Sequence, residues 1–366
     1  MKGLIYLEDG SIYKGKGFGA STTNVGELVF NTAMTGYQKT LTDPSYSGQM
    51  ITMTYPLLGN YGINDEDYES DRIHALGAVC QDLCTKPSNH LSTKTIDQWF
   101  CEQGIPGVYG VDTREITRKL RKTGSQKCVI TTEDIPLSEV KKLAEETELS
   151  TDQMKTAGVQ EVQTIETPGS DFHVAVLDLG VKRSILKELA ARGCSMTIYP
   201  YATKAKTILA AKPDGVFLTN GPGDPAAAAE AVTVIEKLIT NSNYGADLMP
   251  IFGICMGHQL IALACGGSTY KMQYGHRGCN HGVFDKNIGR SYITSQNHGY
   301  AVQPQSIVLK GLEATHLNLN DGSVEGMAHL SKPIFSVQFH PESNPGPNDT
   351  GYLFDQFIDL MKGGRL

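Results

Sequence analysis

Apolar and polar positions follow two different rhythms along this chain, and the change falls near residue 150. In the first part the apolar runs are short and separated by turns. Leu4–Leu7, the Asp9-Gly10 pair and Ser11–Lys14 predict a hairpin with a tight turn. Glu27–Phe30 and Gln49–Thr54 predict further strands. Asp112-Thr-Arg-Glu115 predicts a helix start, with Asp112 capping and Glu115 reaching back to the free amide. Ile116 and Leu120 share a face of that helix, and Gly124 stops it. Residues 1–150 therefore read as the smaller of two domains, mixed α+β. Residues 151–171 show no sustained period and include Thr167-Pro-Gly-Ser170, which predicts a linker.

From 172 to 366 strands and helices alternate. His173–Leu179 is a continuous apolar run of the kind found in a sheet buried on both faces. Lys182–Arg192 has helical spacing at Ile185, Leu186, Leu189 and Ala190, and Gly193 ends it. Cys194–Tyr199, Gly215–Thr219 and Met249–Ile254 predict parallel strands, with a helix over Ala226–Thr240. The expected fold is α/β: an open, mostly parallel sheet with flanking helices. Ligands of such sheets sit beyond the carboxyl ends of the strands, where the chemically distinctive residues of this half also fall.

Composition narrows the classes. A chain of 366 residues is too long for one hydrophobic core, which supports two domains. With 40% apolar and 19% charged residues it folds rather than remaining disordered. A net charge of −7 leaves no basic footprint for nucleic acid or an anionic membrane. The amino terminus reaches Glu8-Asp9 before any long apolar run, so no signal peptide is expected. No apolar stretch approaches the ~20 residues that span a bilayer. The eight cysteines are dispersed, which points to a reducing cytoplasm. Cys80 and Cys84 are the only close pair and lack a second pair to complete a zinc site, so no metal is expected.

The candidate chemistry centres on Pro250-Ile-Phe-Gly-Ile-Cys255-Met-Gly-His-Gln259. A buried strand runs through Gly253-Ile-Cys255-Met-Gly257 into a helix that Gly266-Gly267 ends. This is the cysteine form of a nucleophile elbow. Glycines permit the sharp turn, the helix amino terminus favours a thiolate, and the Met256 amide can donate to an oxyanion. A thiol nucleophile needs a base and a group that orients the base. In Ile334-Phe-Ser-Val-Gln-Phe-His340-Pro-Glu342 an alternating strand delivers His340 to a carboxyl end, with Glu342 two residues on. Cys265 reads as a core residue and His258 as a local hydrogen-bonding group. His281, His298 and Cys279 fall in expected loops and receive no role.

Gly253-Ile-Cys-Met-Gly-His-Gln259, Thr219-Asn-Gly-Pro-Gly-Asp-Pro225 and Phe339-His-Pro-Glu342 together resemble the class I glutamine amidotransferases over roughly residues 172–366. The resemblance implies cleavage of the L-glutamine side-chain amide through a cysteinyl thioester, with Cys255, His340 and Glu342 as the catalytic set. It places Gly221, Gly223 and Met256 around glutamine and its oxyanion. Phe30–Gln38, Leu41–Gln49, Tyr55–Gly62 and Val111–Arg118 resemble the amino-terminal domain of carbamoyl phosphate synthetase small subunits. That likeness extends the resemblance to essentially the whole chain. It implies glutamine contacts from Ser47, Gln259, Asn297, Gly299 and Tyr300. It also implies a large synthetase subunit as partner, making carbamoyl phosphate from bicarbonate, ammonia and ATP for arginine or pyrimidine synthesis. No cofactor is expected in this chain: it has no phosphate-loop motif, and ATP and divalent metal are expected only in the large subunit.

The chain departs from the family pattern at Met256, where leucine is frequent, and at Tyr300, where phenylalanine is frequent. His276-Arg-Gly-Cys-Asn-His-Gly282 departs more, in a stretch usually richer in Gly and Pro. Three other readings stay open on the sequence: an amidotransferase serving a different synthase, a cysteine hydrolase or peptidase on a similar elbow, and a scaffold that has lost turnover.

Overall fold

The computed structural model describes residues 1–241, 243–244 and 247–366. The chain divides into two compact units, Met1–Ser150 and Thr151–Leu366. Among the described residues no helix is long and apolar enough to cross a membrane.

In the first unit seven strands close into a barrel: β1 (Lys2–Leu7), β2 (Ile12–Gly19), β3 (Thr23–Asn31), β4 (Gln49–Met53), β5 (Gly77–Cys80), β6 (Pro106–Tyr109) and β7 (Gln126–Thr131). The order round the barrel is β1-β2-β6-β5-β4-β3-β7. The expected β1–β2 hairpin is present, with Leu4 opposite Lys14. Closing the sheet removes the unpaired edges that an open barrel would expose. Four helices accompany the barrel: α1 (Tyr37–Thr42), α2 (Ile96–Glu102), α3 (Thr113–Thr123) and α4 (Leu137–Glu146). Phe18, Ile51, Ala78, Cys80, Trp99 and Phe100 share one core. Asp112 caps α3 through the Glu115 amide at 2.8 Å. The Glu115 carboxylate instead accepts from Tyr13 at 3.3 Å, because the barrel presents that hydroxyl to it. The reciprocal capping box is built on α2, between Thr95 and Gln98.

The second unit is built on one ten-stranded sheet. Its strands are β8 (Gln163–Ile165), β9 (Phe172–Asp178), β10 (Cys194–Pro200), β11 (Gly215–Leu218), β12 (Ile251–Ile254), β13 (Thr269–Asp285), β14 (Arg290–Val302), β15 (Leu312–Asn318), β16 (Val324–His329) and β17 (Ile334–Val337). They lie in the order β8-β10-β9-β11-β12-β17-β16-β15-β13-β14. Strands β10, β9, β11, β12 and β17 are parallel to one another. The remaining strands extend this parallel core antiparallel on both sides.

Three expectations need correction. The presumed linker 151–171 holds α5 (Gln153–Ala157) and β8, which pairs antiparallel with β10. The stretch around His276–Gly282 and the segment carrying His298 are not loops. They belong to β13 and β14, which pair with two register shifts. Finally, β17 does not alternate between core and solvent: every residue from Ile334 to Ser343 is buried. Its polar residues face a buried site, so chemical alternation does not report exposure there.

The helices α6 (Arg183–Ala191), α7 (Ala205–Ala210), α8 (Ala229–Asn241), α9 (Met256–Ala264), α10 (Pro304–Ile307) and α11 (Tyr352–Met361) complete the unit. Strand β9 shows why its run is continuous. Val174 and Val176 pack with Ile185 and Leu189 of α6 and Phe354 and Phe357 of α11. Ala175 and Leu177 pack on the other face with residues of α8 and α9. Alternate side chains thus enter two different cores. Phe217 and Phe252 meet edge to face at 5.1 Å, and Phe252 stacks on Phe335 at 4.3 Å. Each such buried ring contributes roughly 1.5–3 kcal/mol. This packing fixes the strand ends from which the site is built.

Candidate active site

Four parallel strands end side by side, and each delivers one part of the site. After β12 the chain turns at Cys255, which adopts φ 52° and ψ −100°. A left-handed backbone on a residue with a β-carbon costs on the order of 1–3 kcal/mol, and it persists because its surroundings fix it. The Cys255 amide donates to Val337 O at 2.9 Å, and the Gly257 amide donates to Thr219 O at 3.0 Å. A β-carbon on Gly257 would strike the Leu218 carbonyl, which is why the turn requires glycine there. Cys255 is 2% exposed. Its Sγ lies 3.6 Å from both the Asn297 carbonyl oxygen and Gln338 Nε2.

After β17 the chain brings in His340 and Glu342. His340 Nδ1 bonds Glu342 Oε1 at 2.6 Å, both side chains being almost fully buried. Its backbone amide is tied to Ser295 O at 2.9 Å. His340 Nε2 makes no well-formed hydrogen bond. The Cys255 thiol is nonetheless close enough to help hold the ring protonated. Burial works against the charged imidazole, but the Glu342 carboxylate outweighs it and raises the His340 pKa well above the usual histidine value. Glu342 shows the mirror image. Burial opposes its charge, while Lys182 first and His340 second hold the carboxyl well below its ordinary value.

Lys182 was missed by sequence reasoning, which took it only as the start of a helix. It follows β9, and its side chain is 4% exposed. Its Nζ donates to Glu342 Oε1 at 2.8 Å and to Ser343 O at 3.0 Å. The strand-end position was the one available signal. Gln338 was also missed. It donates from Nε2 to Cys255 Sγ, and its Oε1 accepts from Gln259 Nε2 at 3.0 Å. Its place two residues before His340, on the same side of an extended chain, was legible in the sequence.

The remaining candidate residues of this unit lie on α9, on β14 and in the loop after β11. Gln259 Nε2 also donates to Tyr300 O at 2.8 Å. Asn297, Gly299 and Tyr300 lie on β14 beside the elbow. Gly221 and Gly223 follow β11 in a loop strapped to the end of β9, where Asn220 Nδ2 donates to Gly180 O at 2.9 Å. A β-carbon at Gly221 would collide with the Leu179 carbonyl, and Gly223 has φ 92°. Met256 opens α9 next to the thiol. His258 bonds Ser336 on the neighbouring strand at 2.9 Å, and burial pushes its pKa down to about 3. Ser47 belongs to the first unit, where its Oγ lies 3.0 Å from His74 Nδ1. Burial lowers His74 to about 4, so that imidazole is neutral at physiological pH.

A strained thiol at a strand-to-helix turn, facing an imidazole backed by a carboxylate, defines a class of protein. Residues 175–360 match the class-I glutamine amidotransferase family. Residues 5–130 match the CPSase domain of the carbamoyl-phosphate synthase small chain. Carbamoyl phosphate synthase small chains are similar over nearly full length. The one from Clostridium acetobutylicum is 51% identical, covering 98% of this chain and 100% of its own. That from Fusobacterium nucleatum is 49% identical, over 97% and 96% respectively. That from Staphylococcus haemolyticus is 48% identical, over 98% and 95%. The chain belongs to the carbamoyl phosphate synthase small-chain family, with a class-I glutamine amidotransferase domain as its second unit.

Proposed function

We propose that this chain hydrolyses L-glutamine through Cys255 and passes the ammonia to a large synthetase subunit. That subunit would make carbamoyl phosphate from bicarbonate, ammonia and ATP, for arginine or pyrimidine synthesis. The observation that carries the chemistry is the elbow thiol beside an imidazole bonded at 2.6 Å to a buried carboxylate. The amide carbon of glutamine sits over Cys255. The thiolate attacks it, and the amides of Met256 and Gly221 receive the developing oxyanion. His340 gives its proton to the departing ammonia, leaving a glutamyl thioester. A water molecule then gives a proton to His340 and its oxygen to the acyl carbon. Glutamate leaves and the thiol is restored.

Glu342 holds the imidazole in the required tautomer throughout. Ser47, Gly223, Gln259, Asn297, Gly299 and Tyr300 orient the α-carboxylate and amine of glutamine. No cofactor in this chain takes part, and ATP with its divalent metal belongs to the large subunit. The two chains work as a heterodimeric unit. The eight free thiols suit the reducing cytoplasm. The test is glutamate release by wild type and Cys255→Ala, with and without a candidate large subunit. Cysteine-dependent release that rises with the partner supports the reading, and release that survives Cys255→Ala in a folded protein ends it.

A further inference from the structure

The stretch His276–Gly282 plays no part in the hydrolysis just described, yet it borders a second buried cluster in the same unit. One ring nitrogen each of His276 and His298 and a carboxylate oxygen of Glu325 all lie within 4.8 Å of one another. The three residues are 5%, 5% and 0% exposed. His276 Nδ1 stands 3.5 Å from Glu325 Oε1. A tetrahedral ion bound at about 2.0–2.2 Å separates its ligand atoms by roughly 3.4 Å. That pair already has the required spacing, and His298 Nε2, which lies 2.9 Å from Gln296 Oε1, exchanges that contact for the ion.

The surroundings match those of a ligand set. His276 Nε2 lies 2.9 Å from Asp321 Oδ2, so a carboxylate backs the ring and turns Nδ1 towards Glu325. Asn318 Nδ2 at 2.8 Å and Gln296 Nε2 at 2.9 Å fix the Glu325 carboxylate. The His281 ring lies 5.0 Å from that of His276, and its buried Nδ1 has no hydrogen-bond partner. That ring stands outside the three ligand atoms that lie within 4.8 Å of one another. The side chain of Asp321 is 41% exposed and leads from the cluster to solvent.

We propose that His276, His298 and Glu325, with water in the fourth position, form a binding site for a divalent transition-metal ion of the zinc class. Two imidazoles and one carboxylate suit zinc rather than magnesium or calcium, which take oxygen ligands. The site does not depend on the reading of Cys255. It touches the elbow's neighbourhood through His298, whose Nδ1 bonds the Tyr300 carbonyl at 2.7 Å.

The test uses the full chain carrying Cys255→Ser, so that the nucleophile cannot capture the ion. Chelator-treated protein is dialysed against zinc, and bound metal is counted. Cobalt substitution then reports the donors. The expected result is one ion per chain and a tetrahedral cobalt spectrum without a thiolate charge-transfer band. Asp321→Asn should weaken binding roughly 10- to 100-fold through loss of the outer carboxylate. His276→Ala should weaken it at least as much. Asp321 is partly exposed, so that variant remains informative even where His276→Ala disturbs folding. Absence of retained zinc, a thiolate band, or undiminished affinity in Asp321→Asn would each overturn the site and leave a cluster held by hydrogen bonds alone.

Discussion

Replacing Lys182 by methionine isolates the contribution of the cation behind the Glu342–His340 pair. The substitution keeps an unbranched chain of similar length and removes only the ammonium. Two contacts disappear, to Glu342 Oε1 at 2.8 Å and to Ser343 O at 3.0 Å. The Glu342 side chain is fully buried, and its Oε2 has no hydrogen-bond partner, so water cannot replace the lost charge. Breaking a buried pair from one side costs about 3–5 kcal/mol. With a urea slope near 3 kcal/mol per M, the midpoint should fall by roughly 1–2 M. Only the second unit should respond. The single tryptophan, Trp99, lies in the first unit and serves as an internal control. Far-ultraviolet circular dichroism should therefore show an early transition while tryptophan fluorescence keeps its wild-type midpoint. Adding Glu342→Gln to Lys182→Met removes the uncompensated charge and should recover part of the loss. A midpoint shift below a few tenths of a molar, or a double variant no better than Lys182→Met, refutes the reasoning.

Three further outcomes follow from the same geometry. Glu342 holds the folded His340 pKa above the unfolded value of 6.5, so the stability it confers is complete below that pH and is lost as pH rises through the folded value. Glu342→Gln should flatten this alkaline decline in denaturation midpoints, and an unchanged slope would rule the coupling out. Gly221→Ala forces a β-carbon against the Leu179 carbonyl and displaces the loop amides. Glutamine hydrolysis should fall about 10²–10³-fold with the fold intact, and near-normal kcat would remove Gly221 from the oxyanion site. Gln338→Leu leaves Gln259 without its buried acceptor and Sγ without its donor. A loss of about 1–3 kcal/mol corresponds to a drop in kcat/KM of roughly 5- to 150-fold, and a change within twofold would show that Gln338 only fills space.

How much could be read from the residues depends on where their partners lie. The β1–β2 hairpin, the α3 start and β9 carry their signals locally, in turn residues and apolar period, and each is found near its expected position. Cys255 and His340 stood out because their strand contexts are local too. The parts of β13 and β14 around His276–Gly282 and His298 were mistaken for loops because their inward residues include His276, Gln296 and His298, which pack into a polar cluster and give no apolar alternation. The edge strand β8 has only three half-exposed or exposed residues to announce it. Lys182 was missed because lysine is exposed by default, and its burial depends on a carboxylate 160 residues further on.

The distribution of the site over separate strand ends also has a consequence during synthesis. Cys255 is made first, and His340 follows 85 residues later. At roughly 5–20 residues per second, a nascent chain carries Cys255 for about 4–17 s before His340 exists. Because β17 supplies the carbonyl that pins the Cys255 amide, the left-handed turn lacks that anchor during the interval and is held only through Gly257 and Thr219. The order of translation therefore completes the backbone anchoring of Cys255, and brings His340 to it, only when the last parallel strand docks.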